Sequence, residues 1–213
     1  MLEGFGMKRR ETLLAAGAAL AGLGLPGIAG TAVTGQERAA PPFAVDDATG
    51  KRRTLDEFKG KIVVLEWTSP SCPFVRAQYA SGKMQELQGW AKAQGVVWLS
   101  VLSTNPARGD YLSPQKAMAF NQGRKAQPTA LLMDASGKMG QAYGARNTPH
   151  MFVINGAGQI AYAGAIDTQP TVDESDVPKS RNLVRAALED LLAGRSVATP
   201  RTTPYGCLVG YST

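Results

Sequence analysis

A chain of 213 residues with 44% hydrophobic content can build one conventional domain with appendages, and nothing in its length calls for a second. Its formal charge of +6 comes from scattered lysines and arginines without interleaved aromatics, which argues against a nucleic-acid partner; Lys51-Arg52-Arg53 reads as a solvated turn. Two cysteines, Cys72 and Cys207, are too few for a disulfide scaffold, and the single histidine, His150, argues against a zinc or copper site.

Lys8-Arg9-Arg10 precedes an apolar Ala/Gly/Leu-rich run from Thr12 to about Ala29, followed by small residues, the order of an export signal peptide. The segment 1–32 is assigned to it. Arg9-Arg10-Glu11-Thr12-Leu13-Leu14 resembles a twin-arginine signal, the alternative being an ordinary export signal with two arginines at its positive end. Gly17, Gly22, Gly24 and Pro26 break the run, which argues against a permanent membrane span after cleavage and predicts a periplasmic or otherwise exported protein. A linker over 33–40 leads to the domain, 41–195.

Phe43 to Gly50 and Thr54-Leu55 read as a small hairpin, and Ile62 to Trp67 as the first core strand. Pro73 suits a first helical turn, so Phe74 to Ala80 predicts a short helix. Ser81 then reads as the N-cap of a second, with Met84, Leu87 and Ala91 at helical spacing and Gly95 at its end. Val96 to Leu102 is a second apolar strand, Ser113-Pro114 opens a helix to about Lys125, and Thr129 to Met133 is a third strand. Met151 to Asn155 and Gln159 to Ala163 flank Gly156-Ala157-Gly158 as a hairpin, and Leu183, Val184, Ala187, Leu188, Leu191 and Leu192 mark a final amphipathic helix ended by Gly194. Strands alternating with helices predict an α/β domain: a central mixed β-sheet flanked by helices, with an N-terminal hairpin extension and a C-terminal tail, 196–213, that carries Cys207.

Cys72 stands where the first strand gives way to the first helix. There, unpaired backbone N–H groups and the helix dipole favour thiolate over thiol. Lowering a thiol pKa from about 8.5 to about 7 takes roughly 2 kcal/mol and brings the thiolate to about half the population at neutral pH. The turn residues Thr68-Ser69-Pro70-Ser71 predict that this thiol is exposed and reactive; the other reading is a small buried hydrophobe.

Beyond Cys72, several residues fall in an ordered pattern: Phe43, Asp46 and Gly50, then Leu55, Gly60-Lys61-Ile62-Val63-Val64, Asp134-Ala135-Ser136-Gly137, Tyr143-Gly144, and Thr148-Pro149 before Phe152-Val153-Ile154. In this order over about 41–193 the chain resembles the thioredoxin-like superfamily, and within it the redoxin group (alkyl hydroperoxide reductase/thiol-specific antioxidant) and its exported TlpA-like relatives. The resemblance implies a thioredoxin-like fold and no cofactor. It implies a cis-proline at Pro149 beside the reactive cysteine, with Thr148 offering backbone to an extended substrate segment; a trans-proline at a strand entrance is the alternative. It places Glu66 where thioredoxin carries a buried acid, and strand alternation puts Glu66 on the face of Val64. There it would take and return a proton, or else pair with a lysine at an edge. Trp67 and Phe74 are expected as walls around the thiol. His150 is expected either to polarise a sulfur or to pack behind it.

The chain departs from the pattern at the redox pair itself. Cys72-Pro73-Phe74-Val75 has valine where the usual CxxC has its second cysteine, so no local disulfide can form. The peroxidase branch expects threonine three residues before its cysteine, where this chain has Ser69, with Thr68 one further back; its arginine has only Arg76, Arg124 or Arg146 as stand-ins. Cys207 reads three ways: a resolving cysteine, half of a structural disulfide, or a bystander. A permanent bond to Cys72 would close a loop of roughly 135 residues and stabilise by about 5 kcal/mol in the chain-entropy picture.

Three functions follow as expectations. The first is an exported thiol-disulfide oxidoreductase with Cys72 as nucleophile, Cys207 or an outside thiol releasing the mixed disulfide, protein thiols or disulfides as partners and an unidentified reductant. The second is a thiol peroxidase, with Cys72 reducing a peroxide and Cys207 resolving its sulfenic acid. The third is a redox-inert binding module with a structural disulfide.

Overall fold

All five residues of the strand that precedes Cys72 are buried. A strand covered on both faces needs apolar side chains at nearly every position, which is why Glu66 is its one polar interruption. The computed structural model describes residues 38–211; the export signal assigned to 1–32 and most of the linker lie outside the described residues. The chain forms β1 (Arg38–Ala39), β2 (Ala44–Asp46), β3 (Arg52–Thr54), β4 (Val63–Trp67), α1 (Pro73–Ala80), α2 (Lys83–Ala93) and β5 (Val97–Leu102). It continues with α3 (Pro114–Gly123), β6 (Ala130–Met133), α4 (Lys138–Tyr143), β7 (Asn147–Thr148), β8 (His150–Ile154), β9 (Gln159–Gly164), α5 (Leu183–Leu192) and β10 (Cys207–Leu208).

The central sheet has six strands in the order β1-β9-β8-β4-β5-β6. The β4–β5 and β5–β6 pairs are parallel, while β4–β8, β8–β9 and β9–β1 are antiparallel. On one face Val64, Trp98, Met151 and Val153 pack against Val75 and Tyr79 of α1, Met84 and Leu87 of α2, and Val184 and Leu188 of α5. On the other, Val63, Leu65, Trp67, Leu99 and Phe152 meet Phe43 and Phe58 from the N-terminal part and Met139 and Tyr143 of α4. The hairpin β2–β3 is antiparallel, with Arg53 Nε donating to the buried Asp47 carboxylate at 2.8 Å.

Helix starts follow local chemistry. Ser113 Oγ accepts from the Lys116 N–H at 3.4 Å with Pro114 in the first turn, and Asn182 Oδ1 accepts from the Arg185 N–H at 2.7 Å. The second helix differs from expectation by one residue. Gly82, at φ 77°, is its N-cap, because Ser81 is still occupied in ending α1, its hydroxyl donating to the Gln78 carbonyl. Helix α4 and the short strands β7 and β10 carry no periodic signal, being six residues long or fewer. The linker assigned to 33–40 ends in β1, which pairs with β9.

The C-terminal segment is built into the fold. It first runs beside β9, where the Ala163 N–H donates to the Pro200 carbonyl at 3.0 Å and the Thr202 N–H to the Ala163 carbonyl at 3.1 Å. It then crosses to β7, and β10 pairs antiparallel with it: Cys207 lies opposite Thr148 and Leu208 opposite Asn147.

Candidate functional site

Three elements meet at the Cys72 sulfur. Cys72 itself is the N-cap of α1, with extended backbone (φ −77°, ψ 119°) and Pro73 following, which sets its sulfur beside the Val75 N–H of the first turn, a group that favours its thiolate. The second element is the β7–β8 junction, where the Thr148–Pro149 peptide is cis and the Cys72 thiol donates to the Thr148 carbonyl at 2.9 Å. The third is β10: both the thiol and the backbone N–H of Cys207 hydrogen-bond Cys72.

These contacts divide the two thiols. Burial disfavours a Cys72 thiolate, but the Thr148 side chain, the Val75 N–H and the thiol and N–H of Cys207, gathered around the sulfur, outweigh it and hold Cys72 below the ordinary thiol value. The Thr148 hydroxyl is buried with no hydrogen-bond partner among the described residues, so a thiolate would give it an acceptor. At Cys207, burial and the neighbouring Cys72 sulfur push the thiol up to about 11, against a downward pull from the Arg76 guanidinium.

The exposed thiol predicted from the turn residues is instead 0% exposed. The reason lies more than 130 residues downstream, in the tail that covers it. Tyr205, two residues before Cys207, packs its ring on Phe74 at 5.7 Å between centroids. Its hydroxyl donates to the Asp167 carboxylate at 2.6 Å, and Gln78 Nε2 donates to the same carboxylate at 2.6 Å. Asn147 Nδ2 donates to the Gly206 carbonyl at 2.9 Å. Past Cys207, the Val209 N–H donates to the Arg146 carbonyl at 3.0 Å, the Asn105 N–H to the Gly210 carbonyl at 2.8 Å, and the Tyr211 hydroxyl to the Ala145 carbonyl at 2.8 Å. Gly206 (φ 103°) permits this approach, since a Cβ there would overlap the Thr148 carbonyl oxygen. Asp167, Gln78, Tyr205 and Tyr211 were not singled out in the sequence. Their only signal is Gln78 on the buried side of an amphipathic helix.

Glu66 is fully buried on the Val64 face and is held by four side chains. Tyr79 donates at 2.9 and 3.1 Å, Gln88 at 3.2 Å, Trp98 at 2.8 Å and Ser100 at 2.9 Å. Neither a lysine nor Cys72 is among these partners. Phe74 stands beside the site beneath Tyr205, whereas Trp67 packs in the opposite core layer against Tyr143 and Phe152, its indole donating to Ser103. His150 pairs with Trp67 across β4–β8 and stacks on Phe152 at 4.5 Å, on that same side. Its Nδ1 accepts from the Arg146 N–H at 3.2 Å, and burial, with Arg146 nearby, pushes its pKa down to about 4, so the ring is neutral at pH 7. Arg124 lies over Tyr79 at 3.7 Å and Phe120 at 4.5 Å and reaches the Thr68 hydroxyl at 3.3 Å. Among the described contacts of the Cys72 sulfur there is no arginine.

A mixed sheet of this order, with a helix-capping thiol beside a cis-proline, defines a thioredoxin-like protein. More narrowly, the chain belongs to the AhpC/TSA family, whose model matches residues 37–163. No curated protein matches the chain. Similar solved structures include a hypothetical protein from Sinorhizobium meliloti 1021 (24% identity, TM-score 0.70, covering 83% of this chain and 94% of that one). Another is an uncharacterized conserved protein from Geobacillus kaustophilus (23%, 0.71, 83% and 92%), and a third a putative thioredoxin from Neisseria meningitidis (20%, 0.52, 77% and 96%). At these identities the likeness is one of fold.

Proposed function

We propose that this chain is an exported thiol-disulfide oxidoreductase whose redox pair is Cys72 and Cys207, with Cys72 as the nucleophile. The observation that carries the reading is the placing of Cys207 opposite Thr148, whose carbonyl accepts from the Cys72 thiol, so that both cysteines meet at the start of α1 beside the cis Pro149. The Cys72 thiolate is the nucleophile that closes the pair in the exchange; thiol–disulfide exchange needs no cofactor. Protein thiols or disulfides are its proposed partners, with an unidentified reductant. Glu66 and Phe74 act as positioning residues, the first tying α1 and α2 to β4 and β5 through its four donors, the second seating Tyr205. Trp67 and His150 support the sheet end from the opposite layer. Export rests on the arginine-led apolar segment of 1–32.

Redox titration of the full chain against glutathione tests the reading. The wild type is expected to convert reversibly between two alkylatable thiols and a product lighter by two hydrogens, with Cys72 joined to Cys207, and either Cys→Ser variant to lose that conversion. A pair that never oxidises, or never re-reduces, overturns it. Stopped-flow mixing with hydrogen peroxide addresses the peroxidase alternative: loss of the Cys72 thiolate orders of magnitude faster than a free cysteine would transfer the assignment to peroxide reduction.

A further inference from the structure

The two sulfurs differ in access as well as in proton affinity. Cys72 is 0% exposed, beneath a strap that the Tyr205–Asp167 bond, the β7–β10 pairing and the Tyr211–Ala145 bond hold on both sides of Cys207. Cys207, the strap residue beside Cys72, is partly open to solvent. A thiolate arriving from outside therefore meets Cys207 first, and reaching Cys72 requires the strap to lift.

We propose that Cys207 is the sulfur that exchanges with external thiols, and that Cys72 acts only on the bond made at Cys207. The proposal rests on the reading of these residues as a redox pair. An external thiolate attacks Cys207 Sγ of the oxidised pair; the new bond joins the external sulfur to Cys207, the Cys72–Cys207 bond breaks, and its electron pair leaves on Cys72. A second external thiolate attacks the outer sulfur of the mixed disulfide. That forms the external disulfide and releases Cys207 as a thiolate, which takes a proton from water. Two external thiols are thereby oxidised and the protein disulfide is reduced to two thiols. In reverse, Cys72 is the nucleophile and the mixed disulfide on Cys207 is its target.

The environment of each sulfur suits its role. The better leaving group is the thiol of lower proton affinity, and Cys72 is the one provided with the Val75 and Cys207 N–H groups and the Thr148 side chain as its charge develops. Attack in the opposite sense would expel Cys207, whose thiolate burial disfavours. The strap can stay docked throughout, so the bonds that bring Cys207 to Cys72 need not be remade in each cycle.

Peptide mapping after partial reduction separates the two paths. The oxidised full chain is mixed with glutathione, quenched in acid within the first turnover, and alkylated. Glutathione on Cys207 with the alkyl group on Cys72, in at least tenfold excess over the reverse pattern, is the expected result. Glutathione on Cys72, or a near-equal mixture, overturns this inference while leaving the redox pair standing. Failure of the pair to oxidise overturns both. As a second readout, Tyr211→Ala, which frees the far end of the strap, should shift labelling toward Cys72; an unchanged ratio would mean that the strap does not govern access.

Discussion

At the Glu66 carboxylate, Tyr79, Gln88, Trp98 and Ser100 all point donors at one buried acceptor. Glu66→Gln replaces one acceptor oxygen with an amide N–H that faces donors already in place. The expected cost is about 2–4 kcal/mol, read as a lower urea midpoint at unchanged m-value. His150 sets a pH dependence whose sign follows from its depressed pKa. Between about 4 and the ordinary value of 6.5 the unfolded chain binds a proton that the folded ring does not, so stability falls as pH drops through that window and is unaffected by this group above it. The full effect is about 3 kcal/mol, and it should shrink in His150→Asn when urea midpoints at pH 7.5 and 4.5 are compared. Glu66 was legible because period-two alternation puts it on the Val64 face. Its donors were not, since they come from three other elements.

Among the elements, β10 has the largest effect on the site for its length. It is two residues long, and no propensity or periodicity marks it; it exists because β7 offers an edge and because Gly206 can bring the chain against Thr148. In Gly206→Ala the positive φ is strained and the added Cβ meets backbone, which cannot swing aside. Cys207 should lose its place, and iodoacetamide labelling of Cys72 should rise at least tenfold at pH 7. Unchanged labelling would show that something other than the strap shields the thiol. The longer elements were legible from the sequence for the opposite reason. In β4, β5 and α5 the repeating apolar pattern is itself the cause of burial, and it can be read without knowing the partner.

On the scale of the whole molecule, the family match ends at residue 163, whereas the second cysteine lies beyond it with Asp167, Tyr205 and Tyr211, and the β7 edge that receives it lies within the match. The core domain therefore supplies the fold and Cys72, and the segment after α5 supplies the second thiol. Proposed export carries its own test. Replacing Arg9 and Arg10 together by lysine should abolish export of the full chain if the signal is of the twin-arginine type, and leave it intact if the signal is ordinary; cell fractionation reads the difference. Among the described residues no helix is long and apolar enough to cross a membrane.

By itself the sequence determined the α/β domain, Cys72 at a helix start, Pro149 before a core strand and the absence of a local partner at Val75. Each of these depends on residues near one another in the chain, where periodicity, capping and turn chemistry act. Only the tertiary structure decided that Cys72 is covered, that Cys207 is its neighbour, and that His150 and Trp67 lie in the other layer. Those outcomes depend on which strand edge the distant tail reaches and which face each side chain takes, and the pairing is made by backbone hydrogen bonds that every residue can offer.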